Sequence, residues 1–99
     1  MNIRIQSVHF DAAQHLEDFI NQKVSKLEVF YDGIIKAEVI LKLDKSDTLE
    51  NKVAEIELDI PGNNLFAKKQ TKAFEESVDM ACEALRKQLV KRKEKIKAK

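Results

Sequence analysis

Two runs of alternating residues constrain this chain more than any other feature. In 36–43, Ala37, Val39, Leu41 and Leu43 alternate with Lys36, Glu38, Ile40 and Lys42. In 54–60, Ala54, Ile56, Leu58 and Ile60 alternate with Glu55, Glu57 and Asp59. Successive side chains of a strand point to opposite faces, so each run has one apolar face to bury. Joined by the polar link 45–51, the two read as an antiparallel pair, with an outer face that is mostly acidic and solvated.

The cover for the apolar face comes from two helical stripes. Leu16, Phe19, Ile20, Val24, Leu27 and Phe30 recur at helical spacing after Asp11, a suitable N-cap, until Asp32-Gly33 ends the pattern. A second stripe holds Phe74, Val78, Ala81, Cys82, Leu85 and Leu89, starting near Lys72 with Thr71 as its expected N-cap. At the start of the chain Ile3 and Ile5 share one parity and Val8 and Phe10 the other, which predicts one strand with a bulge near Gln6 and Ser7. Pro61-Gly62-Asn63-Asn64 reads as a turn and 65–70 as a short fourth strand. Each helix has one apolar stripe, so the simplest solution is an α+β fold of two layers, βαβββα: a four-stranded mixed sheet with both helices on one face. The first strand, helix and second strand would form a right-handed crossover with parallel strands. Ninety-nine residues without an internal repeat or linker suit a single domain, 1–99.

Charge is distributed unevenly along this frame. Residues 86–99 hold eight of the eighteen Lys and Arg side chains and only one of the seventeen acids, a local +7. The first 85 residues keep ten basic and sixteen acidic groups, a net −6, so the overall +1 hides two opposed surfaces. That asymmetry points to a polyanionic partner. A helix over 72–97 would be about 39 Å long at 1.5 Å per residue, and a strand of eight or nine residues only about 28 Å. Arg92 also falls near the centre of the apolar stripe, where an unpaired arginine is rarely buried. The basic end, 90–99, is therefore expected to overhang the sheet.

Several function classes find no support in these residues. Two glycines and one proline leave no Gly-rich phosphate cradle. His9 and His15 have no Cys or carboxylate at metal-ligand spacing and read as ordinary structural or surface residues. Cys82 lies on an apolar stripe, where burial would raise its pKa and suppress nucleophilicity. Glu75, Glu76, Asp79 and Glu83 lie in the early turns of the second helix, where acids complement the helix dipole. No enzyme activity, cofactor, metal or small-molecule substrate is expected. No window approaches the roughly twenty apolar residues of a membrane span. With a single cysteine and no signal-peptide pattern at the start, the expectation is a cytoplasmic protein without membrane contact.

The basic residues remain. Lys87, Lys91 and Lys95 form an i, i+4, i+8 row on the second helix, and Arg86, Lys93 and Lys97 line another side. Lys23 and Lys26 share one edge of the first helix, and Lys68, Lys69 and Lys72 cluster where the second begins. A lysine-rich helix end is also favoured by the helix dipole alone. Two helices with basic edges would nonetheless frame a groove for a phosphate backbone. Aromatic groups able to stack bases are few (Phe30, Tyr31, Phe66), which favours backbone and shape recognition over base reading.

With this element order, the chain resembles the ribosome hibernation-promoting family, also called ribosome-associated inhibitor A, protein Y or sigma-54 modulation protein. The likeness lies in Lys23-Val24-Ser25-Lys26-Leu27-Glu28 followed by Phe30, in Pro61, Leu65 and Ala67, and in Leu85-Arg86-Lys87-Gln88-Leu89 with Lys91. It departs at Ala73-Phe74-Glu75, where many members have Asp-Met-Tyr. The resemblance implies binding to the small ribosomal subunit and its rRNA in the decoding region, blocking mRNA and tRNA in idle ribosomes. Carried over by position, the implied rRNA contacts are Lys23, Lys26, Arg86, Lys87 and Lys91, extended by Lys93 and Lys95. The chain is expected to be of the family's short class and monomeric when free. A ribosome-independent RNA-binding module and a protein-interaction module are the alternatives; sigma-factor modulation has no support in these residues.

Overall fold

The computed structural model describes residues 1–45 and 49–97, with the side chains of all of these except 95–97. Strands β1 (Asn2–Ser7), β2 (Lys36–Leu43), β3 (Lys52–Ile60) and β4 (Asn63–Thr71) form one sheet in the order β1-β2-β3-β4. Helix α1 (Gln14–Ser25) continues into a 3-10 turn, Lys26–Val29, and α2 spans Phe74–Lys97. The β1–β2 pair is parallel and the other two pairs are antiparallel, so the architecture is the βαβββα fold that the sequence predicts.

The parity of the strands decides which face is covered. Ala37, Val39 and Leu41 of β2, Ala54, Ile56, Leu58 and Ile60 of β3, and Leu65 and Ala67 of β4 are all buried. They meet Leu16, Ile20, Val24 and Leu27 from the first helical segment and Val78, Ala81, Cys82, Leu85 and Leu89 from α2 in one core. α2 packs across β3 and β4, while α1 lies over β1 and against α2.

Four local expectations are corrected. The β1 register runs without interruption from Asn2 opposite Lys36 to Ser7 opposite Leu41. No bulge is present there: the parity change at Val8 and Phe10 arises because the chain leaves the strand through bends and His9 takes a left-handed φ of 66°. Asp11 does not cap α1. The extended residue before the helix is Ala13, whose carbonyl accepts from the N–H groups of Leu16 and Glu17 without side-chain capping.

β4 is nine residues long rather than six. Pro61 and Gly62 alone make the turn, with Ile60 paired to Asn63. Proline fixes the first turn residue near −65° and Gly62 takes φ 79°, the sign pattern of a type II turn. α2 begins at Phe74, so Thr71 ends β4 instead of capping as the adjacent residue. Its hydroxyl still accepts from the Ala73 N–H at 3.2 Å and lies 2.8 Å from Ser77 Oγ, which donates to the Lys52 carbonyl at 2.7 Å. Ser77 is fully buried, and this hydroxyl chain fastens the start of α2 to β3. At the departure Ala73-Phe74-Glu75, Phe74 stacks on Phe10 with ring centroids 5.1 Å apart, so that aromatic serves packing.

Among the described residues, Leu89 is the last buried one of α2, and Lys91, Lys93 and Glu94 are exposed. Arg92 is half-buried, and its Nε is enclosed without a hydrogen-bond partner beside Asn63, Leu65, Gln88 and Lys91. The molecule measures 49 × 24 × 18 Å, the longest dimension well beyond a nine-residue strand of about 30 Å.

Candidate nucleic-acid interface

The cationic side chains singled out from the sequence lie on the helix layer, but on two flanks of α2 rather than in one groove. At about 100° per residue, a helix distributes neighbours around its axis. Arg86 faces α1, whereas Lys87 and Lys91 project towards β4. The first flank is a depression of about 120 Å³ between the helices, lined by Lys23, Lys26, Leu27, Phe30, Asp79, Cys82, Glu83 and Arg86. Lys93, one heptad after Arg86, repeats its phase to within about 20° and extends this flank.

The second flank holds Lys87 with Lys69, Met80 and Ala84 around a wider depression of about 500 Å³. Further along, Lys91 and Arg92 line another of about 220 Å³ with Asn63, Leu65 and Gln88. Gln88 Nε2 donates to the Phe66 carbonyl at 3.2 Å, which ties the helix to the exposed edge of β4. The side chain of Lys95 lies outside the described residues.

The groove flank is not simply positive. Lys23 Nζ lies 3.0 Å from Asp79 Oδ1 and 5.7 Å from the Phe19 ring centroid. Arg86 grips Glu83 through both Nε and a terminal nitrogen, and its guanidinium sits 5.7 Å from the Phe30 ring centroid. The Arg86 hydrogen bond holds the Glu83 carboxyl below the ordinary carboxylate range and raises the guanidinium pKa in return. Lys26 is exposed beside them. Sequence periodicity missed this arrangement, because the pair Lys23–Asp79 joins residues far apart in the chain.

The cluster Lys68, Lys69 and Lys72 does not form. β4 alternation sends Lys69 to the helix side and Lys68 to the outer face, where it approaches Glu55 at 3.9 Å alongside Lys42 at 2.7 Å. Lys72 is exposed in the connection to α2. The aromatic candidates are likewise separated: Phe30 and Tyr31 pack against the core, while Phe66 lies on the outer face beside Glu38, Ile40, Glu55 and Glu57. Arg92, absent from the contacts that the resemblance implies, is the further cation found beside Lys91.

Cys82 forms part of the groove floor. Burial, reinforced by Asp79, pushes its thiol up to about 12 from an ordinary 9.0. A folded pKa above the unfolded one means that the thiol favours folding fully below pH 9 and loses that contribution between pH 9 and 12. At pH 8 the native protein should react with iodoacetamide at least about a hundredfold more slowly than the urea-unfolded chain, because only the thiolate attacks. Equal rates, followed by mass spectrometry, would contradict a closed groove floor.

Among the described residues, no group of three or more His, Cys, Asp or Glu side chains is placed to hold a metal, and no helix is long and apolar enough to cross a membrane. The chain is 33% identical over 95 residues to a ribosome hibernation promoting factor of Pseudomonas putida, covering 96% of this chain and 89% of that one. A protein of the same name from Escherichia coli K12 is 26% identical, with 98% of both chains covered. In fold, the chain resembles the N-terminal domain of Thermus thermophilus protein Y, with a TM-score of 0.79, 24% identity, and 92% and 98% of the two chains covered. It also resembles a ribosomal subunit interface protein of Coxiella burnetii, with a TM-score of 0.82 and 22% identity over the whole of both chains. Residues 3–97 match the model of the family described as sigma 54 modulation protein / S30EA ribosomal protein, and the chain belongs to that family.

Proposed function

We propose that this protein is a ribosome-associated translation inhibitor that binds rRNA of the small subunit in the decoding region and keeps mRNA and tRNA from idle ribosomes. The observation that carries the reading is the concentration of cations along the later turns of α2 and the neighbouring edge of α1. Lys23, Lys26, Arg86, Lys87, Lys91 and Lys93 gather there, while on the outer sheet face Glu38, Glu55 and Glu57 are interspersed with Arg4, Lys36, Lys42 and Lys68. A polyanionic surface is therefore met by α2 and the edge of α1. The distal part of α2, including Lys95, supplies further phosphate contacts, and the half-buried Arg92 joins them.

Exposed cations without exposed aromatic groups beside them suit phosphates and RNA shape. The chain performs no chemistry of its own, acts by occupancy, and works in the cytoplasm where ribosomes are. The curated relatives named as ribosome hibernation promoting factors support the same reading.

The test is co-sedimentation with purified small subunits, with and without tRNA and mRNA. Binding should be retained by small subunits and reduced by tRNA and mRNA. Binding that ignores both competitors would overturn the decoding-region assignment. Equal binding to large subunits or bulk RNA would instead identify a general RNA-binding module.

A further inference from the structure

The two cations that α1 and α2 bring to their shared groove already hold anions. Asp79 accepts Lys23 across the helix interface, and Glu83, one turn later, accepts the fork of Arg86. Both carboxylates stand on the crest of α2, since they border the depression towards α1 and also the one that Lys69 and Lys87 flank. Their side chains are 60% and 54% exposed, so these pairs contribute little to folding and exchange readily.

A carboxylate offers a cation the same kind of paired oxygens as a phosphodiester, and a phosphate that takes the donors now engaged on Lys23 or Arg86 displaces it. The displaced carboxylate then faces the incoming polyanion. Next to a polymer made only of phosphates it finds repulsion. Next to RNA it can accept hydrogen bonds from 2′-hydroxyls or base amino groups, which carboxylates bind well.

We propose that Asp79 and Glu83 determine selectivity at this site, admitting RNA that presents hydrogen-bond donors along the crest of α2 and rejecting donor-free polyanions. The inference rests on the reading of the site as an RNA interface. It assigns to two acids a function in a surface otherwise defined by its cations.

The test compares the wild-type protein with Asp79→Asn/Glu83→Gln and with a control, Glu38→Gln/Glu57→Gln, which removes two charges from the opposite sheet face. Each is titrated with linear polyphosphate and with purified small subunits at physiological salt, where the Debye length of about 8 Å screens distant charge. Loss of both crest carboxylates should raise polyphosphate affinity about tenfold, the scale set by two exposed ion pairs. Small-subunit affinity should rise less or fall, and the control should change neither appreciably. Equal gains for both ligands, or a polyphosphate gain no larger than the control's, would overturn the proposal. If the wild type fails to bind small subunits, the ribosomal reading falls, but the polyphosphate comparison still decides whether the carboxylates mask the groove.

Discussion

Reversing two charges on the β4 flank of α2, Lys87→Glu with Lys91→Glu, should abolish most small-subunit binding while leaving the protein folded. Both side chains are exposed, so the change should alter stability by no more than about 0.5 kcal/mol. Each reversal removes a hydrogen bond to a charged group, worth about 1.5–3 kcal/mol, and adds repulsion. The double variant should therefore bind at least about a hundredfold more weakly. The slope of log affinity against log salt should also become shallower by about 1.4–1.8, since two counterion-releasing contacts are gone. Lys36→Glu with Lys45→Glu is the matched control, because both side chains are exposed and neither lies on the helix layer. Lys42 is unsuitable for that purpose, since it holds Glu55 at 2.7 Å. Equal losses in the helix variant and the control would show that net charge governs binding, and the site assignment would be falsified.

The largest stability effect is expected at Leu85. Its side chain is fully buried where α2 crosses β3 and β4, and it adjoins Arg86 on the groove side and Leu89 one turn later. Leu85→Ala deletes three carbons from a close-packed site and leaves a cavity, at a cost of about 2–5 kcal/mol. In a domain of this size each kilocalorie lowers the melting temperature by about 4–8 °C, so a fall of at least about 10 °C should be seen by calorimetry. A shift of only one or two degrees would mean that α2 does not rest on the sheet through this residue.

Most of the fold is legible in the sequence because strand parity and helical phase are local properties. Alternation places Val39, Ile56 and Leu65 inward, and the 3.6-residue stripe does the same for Ile20, Val24, Val78 and Leu85. Where local rules compete, the sequence is less informative. Asn63 and Asn64 have turn chemistry, yet Pro61-Gly62 completes the turn alone, and the two asparagines begin β4. Ser77 reads as a polar helix residue but is buried, since its hydroxyl has the Lys52 carbonyl and Thr71 as partners 25 and 6 residues away.

The interface divides in the same way. A helical wheel gives the phase of Arg86, Lys87 and Lys91, but not which neighbour each phase meets. That depends on α2 lying across β3 and β4 with α1 on one side only. Periodicity therefore finds the cations but merges their two flanks. It is silent on Asp79 as the partner of Lys23, because that pair exists only once the two helices are side by side.

The parallel pairing of β1 with β2 has a consequence for how the protein assembles. From Lys36 onwards, the ladder β2-β3-β4 and then α2 join elements adjacent in the chain, so their loops close at small entropic cost. β1 and α1 precede β2 in the chain, and β1 has no strand to pair with until β2 has been made. β1 thus waits for a partner made after it. In the reverse direction, an opening that detaches β1, an edge strand with only exposed and half-buried residues, together with α1 also uncovers Leu16, Ile20 and Val24. That opening carries Lys23 and Lys26 away from α2 and dissolves the groove, while Lys87, Lys91 and the β4 flank remain on the part that is still folded.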